Sequence, residues 1–167
     1  MEVYRDLGFL IFGSRLRRIS ESYLSEISKV YQSLGIEFEP SWFLIFYLLS
    51  EKKTLSIRQI SNYMEVSHAA ISQLISNLRL KGLVETEKDQ IDGRKQLVRL
   101  SEEGESLLST VLPVWKAIEL GIEKKFPTLS HGNPLLKQLR EFELAFSKKS
   151  LSQCVLEELK TEEKLPL

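Results

Sequence analysis

Cysteine is almost missing from this chain: Cys154 is the only one among 167 residues, which excludes an internal disulfide and the disulfide frameworks of small secreted domains. Histidine is scarce too. His68 and His131 stand far apart, with no cysteine or carboxylate cluster at ligand spacing near either, so no metal and no cofactor is expected. A Gly-rich loop after a strand, HExxH, GxSxG and CxxC are all lacking, and with them the usual signatures of an enzyme. No uncharged apolar run approaches the ~20 residues that cross a bilayer, and no leader-like segment opens the sequence, so a cytoplasmic protein without a membrane partner is expected. Nor is there an excess of charge, since 23 Lys and Arg balance 23 Asp and Glu. Whole-chain charge therefore announces no polyanionic partner, and any such footprint has to come from where the charges lie. Repeats and low-complexity tracts are absent.

What is there is a chain with 43% apolar residues, enough for one core or a small domain with helical extensions. From about Leu7 to Leu34, Leu10, Leu16, Ile19, Tyr23, Ile27 and Val30 predict a long amphipathic helix that Gly35 closes. Glu39-Pro40 opens a second helix, apolar on more than one side through Trp42, Phe43, Ile45, Phe46 and Leu49. Ser56 with Gln59 reads as a capping box for a short helix carrying Ile60, Tyr63 and Met64. Ser67 then caps another helix, whose stripe is Ile71, Leu74, Ile75 and Leu78 and whose last turn is Lys81-Gly82. Two such helices joined by a tight link form a helix-turn-helix, in which the second lies in the major groove of duplex DNA.

The periodicity changes after Gly82. Leu83 and Val84, then Leu97, Val98 and Leu100, bracket the polar span ETEKDQIDGRKQ, the pattern of a basic-tipped hairpin. A helix followed at once by such a hairpin is the outline of a winged helix. Beyond it, Ser101 starts a helix with the stripe Leu107, Leu108, Val111, Leu112, Trp115, Ile118 and Ile122. Pro113 should kink that helix unless its missing hydrogen bond is accommodated. After the turn-rich Phe126 to Pro134, a last helix runs from about Leu135, with its continuity open around Lys148 to Ser152. The expected class is mainly α with a small β-hairpin wing. The expected parts are an N-terminal dimerisation helix (1–34), a winged helix-turn-helix (35–100) and C-terminal dimerisation helices (101–167), because long amphipathic helices at both ends are hard to bury within one monomer.

The face of the recognition helix turned from the core carries His68, Ser72, Gln73, Ser76, Asn77 and Arg79, all able to hydrogen-bond to base edges or phosphates. Gln73 and Asn77, four apart, point into one groove. From Ser56 to Leu100 there are seven basic and five acidic residues. Arg58, Arg79, Lys81, Lys88, Lys95 and Arg99 are candidates for phosphate neutralisation. A two-fold dimer places two recognition helices about 34 Å apart, so the expected DNA is an inverted repeat. The alternative is a winged-helix protein-interaction module without DNA binding, which near-zero net charge and the acidic Glu85 and Glu87 favour.

Lys88 to Gly104, KDQIDGRKQLVRLSEEG, resembles the wing of the MarR family of bacterial transcriptional regulators, with an Asp-x-Arg tip before a hydrophobic strand and a Ser/Thr-x-x-Gly start to the next helix. IRQISNYMEVSHAAISQLISNLRLKGLV is similar to that family's helix-turn-helix, and helix order matches along nearly the whole chain. The resemblance implies homodimers built from terminal helices, a repressor's role, Arg94 in the minor groove and Asp92 orienting it. It also implies release from DNA by a small aromatic compound, for which Tyr23, Trp42, Phe46, Tyr47 and Trp115 are candidates; the same aromatic group reads first as core packing, since aromatic stripes usually fill core. Peroxide-sensing relatives use a cysteine in the first helix, where this chain has none, so Cys154 reads as a buried or interface thiol.

Overall fold

A computed structural model describes residues 7–88, 96–126, 134–148 and 150–161. It falls into two compact units, residues 1–115 and 116–167. The first holds a 3-10 turn (Gly8–Ile11), α1 (Phe12–Ser33), a second 3-10 turn (Pro40–Trp42), α2 (Phe43–Lys52), β1 (Leu55–Ser56), α3 (Ile57–Met64), α4 (His68–Leu80), β2 (Val84–Lys88), β3 (Gln96–Leu100) and the first part of α5 (Glu102–Lys125). The rest of α5, α6 (Pro134–Lys148) and α7 (Leu151–Thr161) make the second. The class is as expected, mainly α with a small antiparallel sheet.

Local chemistry accounts for most element boundaries. The Ser56 hydroxyl accepts the Gln59 N–H at 3.2 Å and the Gln59 side chain accepts the Ser56 N–H at 2.8 Å, the reciprocal capping box that starts α3. Glu65 ends α3 in the left-handed region at φ 54°, a conformation usually left to glycine or asparagine. Two residues on, the Ser67 hydroxyl accepts the Ala70 N–H at 3.3 Å and α4 begins. Gly82, at φ 73°, turns the chain out of α4, and its N–H donates to the Arg79 carbonyl at 3.0 Å.

The sheet has three strands in the order β1-β3-β2, one more than a hairpin. Leu55 pairs with Val98 and Val84 with Leu100, so Leu55, Val84, Val98 and Leu100 all face inward and are buried. They close one side of a core whose other walls are Ile45, Phe46 and Leu49 of α2, Ile60 of α3, and Ile71, Ile75 and Leu78 of α4. α2 is buried on more than one side, as its sequence requires. Burying a side chain of this size contributes about 1.5–3 kcal/mol, so this cluster is what fixes α4 against the rest of the unit.

The start of α5 is welded to the end of α4. The Ser101 hydroxyl donates to the Gly82 carbonyl, the Ser101 N–H donates to the Leu83 carbonyl at 3.2 Å, and the Gly104 N–H donates back to the Ser101 hydroxyl at 3.0 Å. A Cβ at Gly104 would stand 2.1 Å from the Leu83 carbonyl oxygen, so only glycine permits this approach. α5 runs through Pro113 as one helix.

In the second unit, α6 ends at Lys148 and α7 begins at Leu151, within the stretch where the sequence leaves the continuity of the last helix open. The Ser150 hydroxyl accepts the Gln153 N–H at 3.2 Å and caps α7. Leu136, Leu139, Phe146, Leu151 and Val155 are among its exposed apolar side chains. No described helix is long and apolar enough to cross a membrane.

Candidate nucleic-acid interface

α3, the three-residue link and α4 form the helix-turn-helix. Burial of Ile71, Ile75 and Leu78 against the core turns the opposite side of α4 outward. Of the residues expected there, His68, Gln73, Asn77 and Arg79 are exposed, while Ser72 and Ser76 are partly covered. Ser76 is tied to its own helix, its hydroxyl donating to the Ser72 carbonyl at 2.8 Å. Ser72 and His68 approach to 3.4 Å through Oγ and Nδ1. Gln73 Nε2 donates to Asn77 Oδ1 at 3.4 Å, so the two amides are linked rather than independent.

The candidate phosphate contacts are dispersed around this helix. Arg58, in the first turn of α3, is exposed, and so is Lys88 at the outer end of β2. Lys81, the C-cap of α4, lies with its ammonium 5.5 Å from the centroid of the buried Trp42 ring, within cation–π range. Arg99 stands directly across the sheet from Glu85, and Nη2 meets Oε2 at 2.6 Å. That pair was not legible from the sequence; it becomes so only when the hairpin register is fixed. Asp92, Arg94 and Lys95 lie outside the described residues.

The aromatic residues divide. Trp42 and Phe46 are core, at 3% and 0% exposure. They pack around Phe38, whose ring centroid is 5.1 Å from Phe46, 5.6 Å from Trp42, 6.0 Å from Trp115 and 5.0 Å from Tyr31. Phe38 and Tyr31 were not among the expected site residues. Trp115 Nε1 donates to the Tyr31 hydroxyl at 3.0 Å. Burial raises the Tyr31 pKa; the Trp115 hydrogen bond opposes that shift, and Tyr23 adds to it. Tyr23 and Tyr47 are about half exposed, and Tyr47 stacks on Phe43, which in turn meets Trp115 edge-on at 4.7 Å. Among the described residues, no three His, Cys, Asp or Glu side chains gather as a metal site would need.

The model of the MarR family matches residues 36–95. No curated protein sequence matches the chain. Among solved structures, the fold resembles BpsR of Bordetella bronchiseptica, whose DNA binding is regulated by 6-hydroxynicotinic acid, at 20% identity over 79% of this chain and 98% of that one, TM-score 0.61. It also resembles MepR of S. aureus in a DNA complex, at 16% identity over 83% and 98% of the two chains, TM-score 0.65. A third is a MarR variant from E. coli with operator DNA, at 15% identity over 83% and 96%, TM-score 0.62. The resemblance found in the sequence is thus matched by the family model over residues 36–95 and by the fold of these structures.

Proposed function

We propose that this chain, which carries a MarR-family winged helix-turn-helix in residues 36–95, is a homodimeric, sequence-specific duplex-DNA-binding regulator of transcription rather than an enzyme. It acts most simply as a repressor that occludes a promoter in the bacterial cytoplasm. The observation that carries this reading is α4 itself: capped by Ser67, fixed through Ile71, Ile75 and Leu78, and presenting Gln73, Asn77 and Arg79 outward with a wing strand directly behind it. Arg58, Lys81 and Lys88 supply further cations for phosphates, and Arg94 and Lys95, in the sequence between β2 and β3, complete the footprint.

Exposed apolar side chains on α1, among them Leu16, Ile19 and Tyr23, and on α6 and α7 favour dimerisation through residues 1–34 and 101–167. The two copies of α4 then meet an inverted repeat about 34 Å between half-site centres. A small aromatic effector belongs to the same reading. Tyr23, Tyr47 and Trp115 would line its seat, with the core rings Trp42 and Phe46 behind, and BpsR offers the parallel of a hydroxylated aromatic acid. Such a ligand releases DNA only if it prefers one spacing of the recognition helices over another. Quenching of Trp42 and Trp115 fluorescence together with loss of DNA binding is the expected signature.

The test is retention of the purified protein on immobilised duplex DNA at rising salt, beside sedimentation for its mass. A dimer that elutes progressively is expected, with Arg94→Ala lowering the logarithmic salt slope by about 1. A monomer that ignores duplex DNA at low ionic strength would overturn the reading. It would favour the interaction module, for which the neutralisation of Arg99 by Glu85 is the supporting observation.

A further inference from the structure

The outward ridge of α4 is uncharged, and this bears on which bases it can read. At about 100° per residue, the side opposite Ile71, Ile75 and Leu78 carries Ala69, Gln73 and Leu80 along its middle, with Asn77 about 50° to one side and Ser76 about as far to the other. Ser76 is partly covered and its hydroxyl is spent on the Ser72 carbonyl, while Ala69, Gln73, Asn77 and Leu80 are exposed, Leu80 by 83%. Arg79 is the only lysine or arginine within α4, and it lies about 75° from the buried line, on the flank. Lys81, next along, is held over Trp42. The part of the helix that enters a groove first therefore offers two carboxamides between two aliphatic side chains.

Base edges in the major groove differ in what they ask of a protein. Guanine presents two acceptors, N7 and O6, and is met by the paired donors of arginine or by lysine. Adenine presents one donor and one acceptor, N6–H and N7, which a carboxamide matches with its own oxygen and N–H. Thymine adds a methyl group that takes an aliphatic contact. The α4 ridge has the second and third complements and lacks the first. The contact from Gln73 Nε2 to Asn77 Oδ1 uses one amide N–H of Gln73 and leaves its oxygen and its other N–H for a base, while restricting the side chain's rotation.

Resting on the DNA-binding reading above, we propose that α4 reads A·T pairs in each half-site. Gln73 makes the bidentate contact to adenine N6 and N7, Asn77 is the residue that positions it, and Ala69 and Leu80 pack on thymine methyl groups. Guanine is not read by this ridge.

The experiment is selection of bound duplexes from a random pool with the full chain and with Gln73→Ala, Asn77→Ala and Gln73→Arg, all at exposed positions. The wild-type protein is expected to enrich an inverted repeat with an adenine at one fixed place in each half. Gln73→Ala loses that preference, Asn77→Ala keeps the same base at weaker preference, and Gln73→Arg moves it to guanine. On the selected duplex, 7-deazaadenine at that place, which lacks the N7 acceptor, lowers wild-type affinity by about 5- to 150-fold and leaves Gln73→Ala unmoved. Uracil in place of the neighbouring thymines weakens binding as well. Enrichment of a repeat with G·C at the α4 positions, or an unchanged preference in Gln73→Ala, overturns this proposal and leaves DNA binding standing. A pool from which nothing is enriched overturns both.

Discussion

Gly104→Ala is the most exacting test of how α4 is held. The added methyl would lie 2.1 Å from the Leu83 carbonyl oxygen, 3.1 Å from the Leu83 carbonyl carbon and 3.3 Å from the Leu100 Cβ. Ordinary contact begins at 3.4 Å, so one partner must retreat by about 1 Å or more. The obstructing atom is main chain, and it accepts the Ser101 N–H; it cannot swing aside as a side-chain end could. Overpacking costs about 1–3 kcal/mol and occasionally more, and a fixed backbone obstacle puts this site at the upper end. Against that, alanine gains at most about 1 kcal/mol over glycine in a helix. The net expectation is a loss of about 2 kcal/mol, or about 4–8 °C in melting temperature for a chain of this size. Circular-dichroism melting of both proteins at equal concentration measures it, with Gly121→Ala as the contrast. That glycine lies in the same helix with nothing within 4 Å, and its replacement should leave stability level or raise it by up to about 1 kcal/mol. A Gly104→Ala protein melting at or above the wild-type temperature would refute the close-packed junction.

Three further perturbations have defined signs. Glu65 occupies the left-handed region at φ 54°, so Glu65→Gly should stabilise by about 1 kcal/mol, seen as a higher urea midpoint at unchanged slope; no gain would mean the Glu65 side chain contributes what its backbone loses. Tyr31 has a folded pKa above its ordinary value because burial disfavours the phenolate. Its contribution is therefore fully present below pH ~10 and is lost as pH rises through the folded pKa, so stability should fall in that alkaline range and the fall should shrink in Tyr31→Phe. Glu85→Gln breaks the ion pair with Arg99. Since a half-exposed pair is worth only about 0–1 kcal/mol, melting should barely move, while duplex binding strengthens and its salt slope steepens by about 1 as Arg99 is freed for phosphate; an unchanged slope would place Arg99 outside the footprint.

What could be read in advance was whatever is encoded within one turn or one repeat. Ser56 with Gln59 and Ser67 before His68 are short-range hydrogen-bond signals, and both caps are present. The stripe Ile71, Ile75 and Leu78 is a period, and it is buried. β1 escaped because two residues, Leu55 and Ser56, carry no period, and only pairing with Leu97 and Val98 makes them a strand. Phe38 escaped because nothing local distinguishes a loop phenylalanine that lies at the centre of Tyr31, Trp42, Phe46 and Trp115. Treating the aromatics as one group likewise could not separate the two in the core, Trp42 and Phe46, from the half-exposed Tyr23 and Tyr47. The break before α7 did have a signal, Ser150 followed three residues on by Gln153, in the pattern already used for Ser56 and Gln59.

With β3 in the middle of the sheet, β1 and β2 are its borders. β1 is too short, at two residues, to template another strand. β2 is long enough, and its unpaired main-chain groups would invite a strand from a neighbouring molecule. Three of its five residues, Glu85, Glu87 and Lys88, are charged and exposed. Such charges discourage edge-to-edge stacking, so the open border of the sheet is kept from becoming a seed for aggregation.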